Sequence, residues 1–162
     1  MLKRLVNLIP AISLAVVMLG SHPVAASAAV TVVGTINGGG TALMTSGPGA
    51  GGKSVSSFGF HATLYSDGTA SGHVDCVDQM GDTATGNIFG DVTRWSAGPH
   101  GLTLFVTGKL IAIPGGHPSV ANFPVTIQTF GGSGVGHWTL GNPANPFCIE
   151  LLLSGQIVER LN

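Results

Sequence analysis

Ser57-Phe-Gly-Phe-His-Ala-Thr-Leu-Tyr-Ser-Asp-Gly-Thr-Ala-Ser-Gly-His-Val-Asp-Cys-Val-Asp78 is the stretch that decides the fold. Phe58, Phe60, Ala62 and Leu64 alternate with Gly59, His61, Thr63 and Tyr65, a period of two that gives a strand one apolar face. Past Asp67-Gly68 the alternation resumes, with Ala70, Gly72, Val74 and Cys76 set against Ser71, His73, Asp75 and Val77. A two-residue Asp67-Gly68 loop would pair Phe60 with Asp75 and mix the two faces. A three-residue loop, Ser66-Asp67-Gly68, pairs Phe60 with Val74 and Phe58 with Cys76. It also puts Gly68 at the left-handed position of a G1 bulge. A slip of one residue would turn the apolar face outward, so the second register is predicted.

That register makes His61 and His73 cross-strand neighbours on the polar face, with Asp75 two residues further on. Two imidazoles and a carboxylate suit a metal ion or an acid/base pair, so His61, His73 and Asp75 are the candidate metal ligands. The competing reading is an ordinary solvated face of a half-buried sheet.

The 162-residue chain begins with the pattern of a signal peptide. Lys3 and Arg4 form a charged start, Leu5 to Gly20 an apolar run, and Ala26-Ser27-Ala28 a small-x-small cleavage site. Residues 1–28 are therefore expected to be removed, leaving residues 29–162 as a single secreted, extracellular β-domain with no stable membrane anchor. Without Lys3 and Arg4, four basic residues (Lys53, Arg94, Lys109 and Arg160) face seven acidic ones. A mildly acidic chain with no basic patch is not expected to bind nucleic acid. With only 8% charged residues, 44% hydrophobics and 26 glycines, the composition fits a Gly-turned β-protein rather than a disordered chain.

Cys76 and Cys148 are the two cysteines. In an exported protein the simplest expectation is a Cys76–Cys148 disulfide, which would contribute about 4 kcal/mol in the chain-entropy model. Neither has a Cys-x-x-Cys partner or a basic neighbour to activate its thiol.

Val30 to Ile36 reads as the first strand, Asn37-Gly-Gly-Gly40 as a turn, and Thr41 to Thr45 as a short strand. Gly47-Pro-Gly-Ala-Gly-Gly-Lys-Ser54 matches the phosphate-loop pattern letter for letter. That chemistry needs a following helix, whose N-terminal amides hold the phosphates. Val55-Ser-Ser-Phe-Gly-Phe60 is a strand pattern instead, so the match reads as a Gly-rich connection. Residues Gly101 to Ile113 form a long strand with Leu102, Leu104, Val106 and Leu110 on one face. Phe123, Val125 and Ile127 point inward on another strand, and Pro124 hints at a sheet edge. Residues 147 to 158 read as strand, with Gly155 as a bulge. About eight or nine strands result, with no helix in the mature chain. The predicted architecture is an antiparallel β-sandwich, with a flattened β-barrel as the alternative.

Gly38-Gly-Gly-Thr41, Phe58-Gly-Phe-His-Ala62 and Gly72-His-Val74 with Asp75 and Asp78 resemble a group of uncharacterised secreted bacterial β-domains. The resemblance spans residues 38 to 78. It implies export and a β-fold and brings no catalytic residues with it.

His100, His117 and His137 each adjoin a glycine, and their spacing marks no site. No Gly-x-Ser-x-Gly elbow is present, and nothing singles out two carboxylates as a glycosidase pair. Tyr65, Trp95 and Trp138 are a candidate stacking platform for a ligand if exposed. The sequence thus predicts a non-enzymatic extracellular binding or structural module for an unknown ligand or protein, with no cofactor beyond a candidate metal. The alternative is a small metal-dependent or hydrolytic enzyme built on His61, His73 and Asp75.

Overall fold

In a computed structural model, the central stretch forms β2 (Val55–Tyr65) and β3 (Thr69–Met80), joined by Ser66-Asp67-Gly68. The register is the predicted one: Phe58 faces Cys76, Phe60 faces Val74, and His61 faces His73. Gly68 takes a left-handed φ of 81° and its N–H donates to the Tyr65 carbonyl at 3.1 Å. Asp67 Oδ1 accepts from both the Thr69 N–H (2.9 Å) and the Thr69 hydroxyl (2.6 Å). Those two bonds favour the ionised carboxylate and hold Asp67 below its ordinary range. Local chemistry shapes the turn, and bonds from its neighbours brace it: the Ser66 N–H donates to the Thr31 carbonyl at 2.9 Å and the Trp95 N–H to the Gly68 carbonyl at 3.0 Å.

The structure describes residues 28–46, 54–80, 85–113, 116–128, 136–142 and 144–162. The signal-peptide pattern up to Ser27 and most of the phosphate-loop match, Gly47 to Lys53, lie outside them. Beside the hairpin run β1 (Val32–Ser46), β4 (Thr85–Gly98), β5 (Gly101–Ile113), β6 (Ser119–Gln128), β7 (His137–Asn142) and β8 (Asn145–Leu161). Each strand pairs antiparallel with the next, and β1 closes onto β8 from Gly34↔Leu161 to Ser46↔Ile149. The fold is therefore a closed eight-stranded up-and-down barrel, the predicted alternative, and not a two-sheet sandwich. Both architectures bury one face of every strand, so the periodicity is the same. What separates them is the pairing of the two ends of the chain.

The first strand also differs from expectation. Asn37 to Gly40 is no turn, because β1 runs through it without interruption. Phe60 explains the glycine at position 38: its ring occupies the space where a Cβ would stand. On the other side, Gly40 pairs with Gly155, which has a φ of 85° beside the β-bulge that leaves Leu153 unpaired. A side chain at position 155 would drive into the Gly39 carbonyl.

Eight strands enclose a space just wide enough for side chains to fill. The fill comes from the predicted inward parity: Phe58, Phe60, Leu64, Val74, Leu102, Leu104, Val106, Val125 and Ile127 are all buried. Phe58 stacks on Phe60 at 5.6 Å and meets the Trp138 ring at 5.8 Å. The outer face is mixed, carrying among others His61, Thr63, His73, Asp91, Thr107 and Lys109 together with the exposed Phe105, Val120, Leu151 and Leu153. β7 pairs with β6 only between Val125 and Gln128, so Ser119 to Pro124 has no β7 partner. Pro124, which lacks an N–H, sits at that local edge, as its chemistry requires.

Candidate functional site

The barrel interior changes character towards the end where β1 hands over to β2, β3 to β4, β5 to β6 and β7 to β8. The alternation that sends Val74 inward on β3 also sends Cys76 and Asp78 inward. On β8 it does the same for Cys148 and Glu150, and on β2 for Ser56. Glu150 is 0% exposed. Its Oε2 accepts a hydrogen bond from the Ser56 hydroxyl at 2.9 Å, while Oε1, also buried, has no partner among the described residues. Asp78 Oδ2 accepts from the Gly86 N–H at 2.8 Å. Cys76 Sγ, an Asp78 oxygen and a Glu150 oxygen lie within 4.8 Å of one another.

These groups surround a cavity of about 90 Å3 whose other walls are apolar, including Met44, Ile88, Leu110 and Leu140. A wider apolar mouth of about 170 Å3 adjoins it, lined by Ala121, Phe123, Leu140 and the half-exposed Phe147. The mouth lies beside the stretch of β6 that β7 leaves unpaired.

Burial sets the electrostatics. Glu150 is pushed up to about 7 by its removal from water, against the opposing pull of the Ser56 hydroxyl, and the Asp78 carboxylate pushes it further the same way. Asp78 is itself raised by burial, offset in part by the Gly86 N–H. Both thiols are raised, first by burial and then by the Glu150 carboxylate, so each is held neutral. Trp138 pairs with Glu150 across β7 and β8, and its indole N–H is also buried without a partner among the described residues. Orphaned polar atoms of this kind cost about 1–3 kcal/mol each. A ligand that offered a donor to Glu150 would recover part of that.

The expected disulfide is not formed. Cys76 and Cys148 are free thiols, although both line the same cavity. Sequence spacing brings two inward cysteines to one space without setting the sulfur–sulfur geometry that a bond needs. The histidine cluster does not assemble as expected either. His61 and His73 do face each other, but His73 Nδ1 meets Asp91 Oδ1 at 3.1 Å. His61, His73 and Asp75 are not among the described side chains that converge as metal ligands; Cys76, Asp78 and Glu150 are. Nor is there a three-ring platform. Trp138 is buried in the core, while Trp95 packs against it from its own strand, with its indole N–H donating to the Tyr65 carbonyl at 2.9 Å. The Tyr65 hydroxyl hydrogen-bonds with Ser71.

Glu150 was the residue least visible beforehand. The signal was its parity: in Cys148-Ile-Glu150-Leu-Leu152 a carboxylate shares the face of a cysteine and a leucine. Compared with family models, with curated proteins and with solved structures, the chain matches none.

Proposed function

We propose that the chain is an exported, non-enzymatic binding barrel that takes a small ligand into the cavity between the β6–β7 gap and Glu150. The observation that carries this reading is the fully buried Glu150 with an unpartnered oxygen beside an open apolar mouth. A concave apolar pocket with a few convergent polar groups is the usual form of a small-molecule site. The ligand it fits has an apolar body for Phe123, Leu140 and Phe147 and a hydrogen-bond donor for Glu150. Binding is favoured over covalent catalysis because both thiols are held in their neutral, weakly nucleophilic form.

N-phenyl-1-naphthylamine, an apolar amine that fluoresces when removed from water, tests the reading. Its emission should rise on titration into the protein, and Ala121→Trp, which fills the mouth, should abolish the rise while leaving thermal unfolding unchanged. A flat titration, or equal binding by both proteins, would refute a ligand site there.

A further inference from the structure

The inward faces of β3 and β8 bring together more than a binding pocket requires. A sulfur and two carboxylates lie within 4.8 Å of one another, and Cys148 stands two residues from Glu150 on the same inward face of β8. We propose that Cys76, Asp78 and Glu150, with Cys148 as a fourth donor, form a site for a thiophilic divalent cation of the zinc class. The inference rests on this cavity being the binding locus, but it names a different occupant from the amphipathic ligand above.

Three observations carry it. The donor set is mixed sulfur and oxygen, which suits zinc and disfavours calcium and magnesium, whose sites are built from oxygen. Tetrahedral zinc bonds of about 2.3 Å to sulfur and about 2.1 Å to oxygen separate neighbouring donors by about 3.6 Å. Cys76, Asp78 and Glu150, already within 4.8 Å of one another, need only small side-chain movements to reach that, while Cys148, outside that group, has to swing in to complete the tetrahedron. Finally, both carboxylates are oriented from behind: Ser56 holds Glu150 by Oε2 and Gly86 holds Asp78 by Oδ2. This is the outer-shell support that metal ligands usually have. The unpartnered Glu150 Oε1 is the atom left for the cation. On binding, the ion displaces the protons of the Cys76 and Cys148 thiols and that of Glu150, all three released to solvent, while Asp78 contributes as the carboxylate.

Native mass spectrometry of the full chain, kept reduced and titrated with zinc chloride, tests the site, and cobalt(II) serves as a coloured substitute. One equivalent of zinc is expected, and cobalt should give the near-ultraviolet charge-transfer band of a metal–thiolate bond. Replacing both thiols, Cys76→Ser with Cys148→Ser, should remove that band. Glu150→Gln, which keeps the side-chain size, should weaken zinc binding by more than the roughly 10–100-fold typical of losing an outer-shell partner. Three outcomes would overturn the proposal: no uptake by a protein whose thiols are counted free, a mass two hydrogens lighter that reveals a disulfide, or unchanged uptake by both variants, which would place the ion on surface histidines. Naphthylamine binding without zinc uptake would leave the mouth as a site and sink the cation. Zinc uptake without naphthylamine binding would do the reverse.

Discussion

Replacing Glu150 with glutamine removes the buried charge and keeps the shape, and its effect should depend steeply on pH. In the folded protein the carboxyl is raised to about 7 from an ordinary 4.5. Between those values the folded state keeps a proton that the unfolded state has lost. The group's contribution to stability is therefore fully present below about pH 4.5 and is lost as pH rises through 7. At 1.36 kcal/mol per pH unit, the loss is about 3 kcal/mol. The charged and titratable groups facing Glu150 are Cys76 and Asp78 from β3 and Cys148 from its own strand, with the Ser56 hydroxyl from β2. Asp78 is raised in the same direction by its own burial and remains in the variant, so the difference between the two proteins reads Glu150 together with its coupling to Asp78 and the two thiols. Urea unfolding with chelator and reductant present, at about pH 5 and about pH 8.5, reads the effect. Wild type should lose about 2.5 kcal/mol more than Glu150→Gln between the two conditions, because part of the loss already lies below pH 5, and at the higher pH the variant should be the more stable protein. Equal losses would refute the reasoning, because they would mean that Glu150 titrates normally and is reached by water.

Other outcomes follow from the same geometry. Ellman's reagent should find no reactive thiol in the folded protein and two in denaturant without any reductant, since both cysteines are buried and free; none in denaturant would mean a disulfide. Gly155→Ala should destabilise the barrel by about 2–4 kcal/mol in chemical denaturation, through a left-handed φ and a clash with the Gly39 carbonyl. A wild-type-like midpoint would show that the β1–β8 seam can relax. Protein recovered from culture medium should have a mass that begins near Ala29, and an intact Met1 would refute signal cleavage.

Several features were legible in the sequence because they are local. The β2–β3 register followed from a period of two and a three-residue turn, so Phe58, Phe60 and Val74 fell inward as predicted. The parity of β5 and the edge position of Pro124 followed from the same kind of evidence. The site was less legible. His61 and His73 were correctly paired, yet Asp91 from the next strand took His73, and cross-strand partners on a third strand leave no trace in a hairpin's own pattern. Cys76 and Cys148 were correctly brought to one region, but without the bond.

By itself, the sequence determined an antiparallel β-protein, the β2–β3 turn and the inward faces of β2, β3, β5 and β6, because alternation and turn chemistry act over a few neighbouring residues. Only the tertiary structure decided that the sheet closes on itself, since the β1–β8 seam joins residues more than a hundred positions apart. The same closure made Glu150 a buried group beside Cys76 and Asp78. Its environment is built from strands β2, β3 and β8, and only their meeting removes it from water.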